Sequence, residues 1–319
     1  MHETFNELLL ELDGVKLNFN QESLLALNIS IAFIMFGIAL GIKRKNFSGI
    51  MKNPKSILTG IVAQFLLLPG LTFLIIYFAN LPVSVSLGML LVASCPGGNV
   101  SNFITSLSKG NVALSVSLTA ISDLLSMLMT PLNFTFWGNL YIGSLPLANP
   151  IVIPFLDVME TILILMGIPL TIGILFAQKF PKTTDKIFNP IKTLSIFIFI
   201  GFVVFAIKAN ADYFFNYWYI LLPIVLLHNL LALLMGNLSS RLMKLPKKDL
   251  KTITIETGIQ NSGLALVLIF NQQILPDGMG GVAAIAAMWG IWHIVSGLGL
   301  GFFWSNRYAR VYSGIRSKL

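Results

Sequence analysis

Charge and cysteine are both scarce in this chain. Only 11% of its 319 residues are Asp, Glu, Lys or Arg, against 55% hydrophobic residues and a mean hydropathy of +0.82. A soluble domain carries roughly 25% charged residues, so there is too little polar surface here to cover a globule in water. The single cysteine, Cys95, excludes an intrachain disulfide and any CxxC metal site. Turn-rich connections, which one soluble domain of this length requires, are missing too. The first twenty residues lack the basic start of a signal peptide and carry Glu3, Glu7, Glu11 and Asp13 instead. In that stretch Leu8, Leu9, Leu10 and Leu12 read either as a short amphipathic element on a membrane face or as a frayed tail. No GxSxG elbow and no HExxH pair is present, so the commonest signatures of hydrolytic enzymes are absent.

What the chain has in abundance is apolar runs of about twenty residues, the length that crosses ~30 Å of hydrocarbon. Nine spans are expected, at 23–42, 54–79, 82–109, 110–138, 150–178, 193–209, 216–243, 249–274 and 278–304. The fold class is therefore an all-α polytopic membrane protein. The net charge of +8 is a signal of orientation, because the basic residues are placed unevenly. Lys43, Arg44, Lys45, Lys52 and Lys55 follow the first span, and Lys109 ends the third. Lys179, Lys182, Lys186 and Lys192 follow the fifth, while Arg241, Lys244, Lys247, Lys248 and Lys251 follow the seventh. Arg307, Arg310, Arg316 and Lys318 follow the ninth. In this arrangement 19 of the 21 basic residues share one side and only Lys16 and Lys208 lie on the other. The positive-inside rule then puts the N-terminus outside and the C-terminus in the cytoplasm of an inner membrane. Eight or ten spans would scramble the asymmetry. Nucleic acid is not expected as a partner.

Two spans do not read as ordinary helices. The third contains Cys95-Pro96-Gly97-Gly98-Asn99-Val100-Ser101-Asn102 and the eighth contains Glu256-Thr257-Gly258-Ile259-Gln260-Asn261-Ser262-Gly263. Proline lacks a backbone donor and glycine is a poor helix former, so the chain is expected to unwind at these points. Unwound backbone in lipid leaves amides and carbonyls unpaired, at several kcal/mol each, unless protein, water or ions satisfy them. The breaks are five spans apart, so if the first four spans repeat as the last four, the copies are inverted and the fifth span is an unpaired connector. Matched broken helices in inverted halves point to a transporter's binding site. The competing readings are a proline kink relieved by neighbouring helices and interhelical hydrogen bonding by small polar residues.

Ionisable groups away from span ends are few and are functional candidates by default. Glu256 precedes the second break among amides and hydroxyls. A sodium ion is a hard cation that takes carboxylate, carbonyl, hydroxyl and amide oxygens, by extension from calcium and magnesium. Unwound backbone would add the carbonyls of Thr257 and Ile259. On the fourth span Ser115, Thr119 and Asp123 recur every four residues, with Ser122 nearly alongside, forming one polar stripe. Facing Ser101 and Asn102, that stripe would close an oxygen cage with Glu256. The other reading has the hydroxyls bonding back to the preceding turn, which does not account for the carboxylate of Asp123 in apolar surroundings. His293, after Trp292 in the last span, is a candidate for an anionic substrate or is satisfied by a backbone carbonyl. A structural role is the preferred reading of His228-Asn229.

At these residues the sequence resembles the bile acid:sodium symporter family. The resemblance is carried by the two break segments, by Lys109-Gly110-Asn111-Val112-Ala113-Leu114-Ser115, by Leu264-Ala265 after the second break, and by Trp292-His293. It runs from about Ser23 onward. It implies a core domain of two discontinuous crossing helices with their partners, sliding against a panel domain. Two sodium ions serve as coupling ions, with no organic cofactor. The first would meet Ser101, Asn102, Ser115, Thr119 and Glu256. The second would meet Gln64, Glu256, Gln260 and the carbonyls of Thr257 and Ile259. Substrate is expected near Asn99, Asn261 and the adjoining helix ends at Gly98 and Ser262, with His293 as a further contact. On this reading the chain divides into an extracytoplasmic segment 1–22, panel 23–79, core 82–138, connector and panel 150–243, core 248–304 and a cytoplasmic tail 305–319. Two departures stand out. Asn99 replaces a common Thr, and Asp123 stands where a small hydroxyl residue is expected, which could alter ion affinity or add a proton step.

The expected function is sodium-coupled import of an organic anion, a bile-acid-like compound or a small carboxylate, by alternating access; no enzymatic activity is expected. The alternatives are a proton-coupled or sodium-independent carrier of the same architecture, a channel, and an intramembrane hydrolase using a Ser, His293 and Glu256. The sequence leaves the anion and the oligomeric state open.

Overall fold

The structure, a computed structural model, describes residues 11, 21–42, 54–98, 100–146, 151–209, 211–269, 274–275 and 279–316. These residues are almost entirely helical. In chain order the helices are α1 (Gln21–Leu40), α2 (Pro54–Ala79), α3 (Val83–Ser94), α4 (Val100–Leu107), α5 (Val112–Gly143), α6 (Phe155–Lys179), α7 (Pro181–Ala209), α8 (Ala211–Leu242), α9 (Lys247–Gly258), α10 (Ser262–Ile269) and α11 (Gly280–Arg316). Among the described residues, five stretches are single helices long and apolar enough to cross a bilayer: Pro54–Ala79, Val112–Gly143, Phe155–Lys179, Phe215–Leu242 and Gly280–Ser305. The shortest, of 25 residues, rises about 37 Å at 1.5 Å per residue, beyond the ~30 Å required. The pairs α3/α4 and α9/α10 are too short singly, because each is one run of sequence interrupted where Pro-Gly-Gly and Gly-Ile-Gln-Asn stand.

The solvent logic is that of a membrane protein. Phe78, Leu156 and Phe103 are 80%, 73% and 63% exposed, whereas Ser115, Thr119, Asp123, Ser126 and Thr130 of α5 are buried. Large apolar side chains on the outside are costly in water and at home in lipid. The helix α5 thus turns its polar stripe inward, toward α3, α4 and α9.

Packing sorts the helices. α1 lies along α6 and α7, and the approach is close: a Cβ on Gly37 would stand 2.9 Å from Ile191 Cγ2. Small residues at such contacts let membrane helices close together. α2 and α8, expected from the sequence with the panel, pack instead against α9 and against each other, and α2 also meets α5. α11 runs along α3, α4 and α8. The expected tail from 305 is helical as far as Arg316, and Lys182, Lys186 and Lys192 lie on α7 itself rather than on a loop.

Two local devices shape the core. In α2 the turn Ala63–Leu67 is π-helical and carries Gln64; such turns are rare and often mark functional sites. A second π-helical turn, Leu163–Gly167, interrupts α6. Between α4 and α5, Lys109 adopts a left-handed φ of 57° and Asn111 caps α5, its side-chain oxygen accepting from Leu114 N at 3.1 Å. Asn111 also donates through Nδ2 to Asp249 Oδ1 at 2.8 Å, and Ser56 Oγ donates to Asp249 Oδ2 at 2.7 Å. One buried carboxylate thereby fastens α2, the α4–α5 turn and the start of α9 together.

Candidate functional site

The two interruptions cross. Gly98 N donates to Ile259 O at 2.7 Å and Asn261 N donates to Pro96 O at 2.8 Å, a single antiparallel bridge centred on Gly97 and Gln260. Each unwound segment supplies the backbone partners that the other lost, which removes the cost of free amides at membrane depth. Cys95 and Ile259 are extended, with ψ of 158° and 94°. The crossing leaves no room for side chains at its centre. A Cβ on Gly98 would lie 3.0 Å from Gln260 O, and one on Gly97 would lie 2.8 Å from Glu256 Oε2 and 3.2 Å from Gln64 Nε2.

Beside the crossing, Glu256 is 2% exposed and is surrounded by hydroxyls. Ser101 Oγ donates to its Oε1 at 2.8 Å, Ser115 Oγ donates to the same oxygen, and Thr119 Oγ1 lies 3.2 Å from Oε1 and 3.3 Å from Oε2. Thr119 Oγ1 is also 3.0 Å from Ser115 O and 3.5 Å from Asn102 Oδ1. One hydroxyl proton serves one acceptor well, so several of these oxygen pairs are held close with no proton between them. Crowded oxygens around a buried carboxylate form a donor set for a hard cation. Ser101, Asn102, Ser115, Thr119 and Glu256, expected together from the sequence, do converge. The sequence reading missed Thr105, whose hydroxyl is 3.3 Å from Ser115 Oγ. It lies four residues after Ser101, and that spacing was the available signal.

The second expected group also lies at Gly97, where a Cβ would stand 3.2 Å from Gln64 Nε2 and 2.8 Å from Glu256 Oε2. Gln64 is 2% exposed and its Nε2 has no partner among the described residues; Gln260 is fully buried, its Nε2 donating to Thr257 O at 2.9 Å while its Oε1 has no partner. Buried amide atoms without partners are costly, and a cation among them would draw on the Gln260 oxygen and, after a half-turn of its amide, the Gln64 oxygen. The carbonyl of Ile259 is already an acceptor for Gly98 N.

Of the expected substrate contacts, Gly98 and Asn261 lie in the crossing itself and Ser262 directly follows it. Asn99 lies outside the described residues. Gly98 is committed to the crossing, and Asn261 caps α10, its Oδ1 accepting from Leu264 N at 3.1 Å. Ser262 is buried facing α11, where a Cβ on Gly290 would stand 2.8 Å from its Oγ. His293 is 4% exposed with no partner for Nδ1 among the described residues. Nearby, Asn229 binds Gly258 O through Nδ2 at 2.7 Å and accepts from Ser296 Oγ at 2.6 Å, tying α8 to α9 and α11. Thr72 Oγ1 donates to Leu68 O, so it accepts from His228 Nε2 at 2.8 Å, which fixes the proton on Nε2. A wholly apolar cavity of about 280 Å³ opens between α8 and α11, lined by Phe215, Trp218, Leu222, Met288, Ile291 and Trp292.

Buried oxygen cage and crossed broken helices together define a multi-pass membrane carrier. The chain belongs to the sodium bile acid symporter family, whose profile matches residues 28–217. It is 29% identical over 291 residues to the uncharacterized sodium-dependent transporter YocS of Bacillus subtilis, covering 91% of this chain and 86% of that protein. It is 30% identical over 247 residues to the human ileal sodium/bile acid cotransporter, covering 75% and 68%. Against a probable chloroplastic sodium/metabolite cotransporter, BASS2, of rice, identity is 30% over 286 residues, covering 88% and 64%. All three relatives are named as sodium-dependent transporters or sodium cotransporters.

Proposed function

We propose that this protein imports an organic anion together with two sodium ions by alternating access. The observation that carries this reading is the buried carboxylate of Glu256, held by three hydroxyls beside the crossing of two broken helices. One ion is assigned to Ser101, Asn102, Ser115, Thr119 and Glu256, the other to Glu256, Gln64, Gln260 and the carbonyls of Thr257 and Ile259. The chain crosses an inner membrane nine times, with α3/α4 and α9/α10 each completing one crossing, N-terminus outside and C-terminus in the cytoplasm. The anion docks near the breaks, where the N-termini of α4 and α10 favour negative charge. The relatives named for bile acids and metabolites support a bile-acid-like or small carboxylate cargo.

The packing supports a different division of the moving bodies from the one expected from the sequence, with α1, α6 and α7 as the panel and α2 to α5 with α8 to α11 as the core. Empty, the core holds buried negative charge and resists movement through a low-dielectric barrier. Counting Glu256 alone, two sodium ions reverse its charge and an anion restores neutrality at that site, which lowers the barrier to movement. A net inward positive charge is driven by the membrane potential at ~2.3 kcal/mol per charge per 100 mV.

Thermal-shift screening of the purified protein against bile acids, sulfated steroids and small carboxylates, with sodium or potassium, identifies the cargo, since a ligand of the folded state raises its stability. Uptake of the stabilising acid into vesicles at fixed pH should require sodium. Glu256→Ala should abolish it; robust uptake by that variant, or undiminished wild-type uptake in potassium, would overturn the scheme.

A further inference from the structure

Asp123 lies on the same stripe of α5 as the cage residues, one turn beyond Thr119 and two beyond Ser115. The stripe continues through Ser126 to Thr130, whose Oγ1 donates at 2.8 Å to Ser94 O, at the end of α3 just before the first break. Asp123 is therefore set along α5 between the Glu256 cage and the entry to the crossing. It is fully buried, and neither of its carboxylate oxygens has a hydrogen-bond partner among the described residues.

The contrast with Glu256 is the telling point. Glu256 has three hydroxyls in attendance, whereas an equally buried carboxylate one turn further along that stripe has none. An ionised carboxylate is very costly in such a place without a counter-charge. A protonated one would also leave its hydroxyl hydrogen without an acceptor. Small polar neighbours do not close the gap, because Ser122 and Ser126 spend their hydroxyls on backbone carbonyls, Thr119 O and Asp123 O. The site has an unspent charge and unspent oxygens, the state expected of a binding site whose occupant comes and goes.

We propose that Asp123 holds a further sodium ion, so that this carrier binds three per cycle. The inference rests on the sodium-coupled reading above and deepens it. Charge accounting agrees. With Glu256 and Asp123 both ionised, two sodium ions and one anion leave the loaded core at −1, and a third sodium ion returns it to zero. The chain would then move two positive charges inward per monovalent anion.

The test is direct binding of radioactive sodium to the purified protein in detergent, with choline chloride keeping ionic strength constant. About three ions per chain are expected for the wild type and about two for Asp123→Asn and Asp123→Thr, with thermal midpoints in choline close to wild type. A wild-type count of two overturns the inference even if neither variant folds, and so does a count of three that the variants retain. Loss of pH dependence in transport with an unchanged sodium count also overturns it, making a proton the occupant. A wild-type chain that binds no sodium would instead remove the sodium-coupled reading itself, and the two failures are thereby distinguished.

Discussion

The hydroxyls around Glu256 can be ranked by what each one gives up. Ser117, Ser122 and Ser126 on the same helix return their protons to backbone carbonyls, as membrane serines commonly do. Ser101 and Ser115 direct theirs to the carboxylate instead. Hydrogen bonds to a charged group contribute about 1.5–3 kcal/mol. Ser115→Ala should therefore weaken apparent sodium affinity by roughly tenfold or more, since 1.4 kcal/mol is a factor of ten. Ser115→Thr, which keeps the oxygen, should recover much of it. Sodium titration of thermal stability reads both variants, and an unchanged midpoint concentration in Ser115→Ala would remove Ser115 from the ion site. The convergence of these residues was legible in the sequence, because four-residue spacing on a helix defines a face and a glutamate within an apolar run singles itself out. The partners of Asn261 and Ser262 were not legible. Their type suits a substrate contact and a helix cap equally, and only the direction of the side chain separates the two.

For the helices, the sequence announced the interruptions but not how they are relieved. Proline and glycine mark where the helix stops, whereas the bridge from Gly97 to Gln260 joins segments more than 150 residues apart and leaves no local trace. The π-helical turn at Gln64 is equally silent, having neither proline nor glycine within Ala63–Leu67. Lys109-Gly110-Asn111 registered as a family signature, and its physical content is a left-handed residue followed by a helix cap that also grips Asp249. Asp249 is the first residue of the expected span 249–274. Its burial beneath Ser56 and Asn111 assigns it to holding α2, α5 and α9 in one body. Asp249→Ala leaves the buried Ser56 hydroxyl without an acceptor, at about 1–3 kcal/mol, and frees the half-buried Asn111 amide at a smaller cost. The thermal midpoint in detergent should fall by several degrees while the stabilisation produced by sodium persists. Loss of the sodium response with an unchanged midpoint would instead place Asp249 in the ion site.

At the scale of the molecule, the question is which helices travel together. Hydropathy and charge asymmetry locate spans and suggest sides, but a span's neighbours depend on packing faces that a uniformly apolar sequence does not distinguish. Helix α2 shows this. Its sequence gives an ordinary apolar run, and expectation placed it in the panel, yet it lies against α5, α8 and α9 and contributes Gln64 to the crossing. On the proposed assignment of Gln64 to an ion site, α2 has to move with that site, or the ion would be released on every stroke. The contact of Gly60 with Leu118 tests the point, because a Cβ on Gly60 would stand 2.8 Å from Leu118 Cδ2 and 3.5 Å from Cγ. A cysteine pair there, in a Cys95→Ser background, approaches the ~3.5–4.5 Å between Cβ atoms that a disulfide requires. If α2 and α5 belong to one rigid body, Gly60→Cys with Leu118→Cys should oxidise readily and the cross-linked protein should keep most of its sodium-driven uptake. If α2 instead stays behind with α1, α6 and α7 while α5 moves, the same cross-link should stop transport, and reduction should restore it.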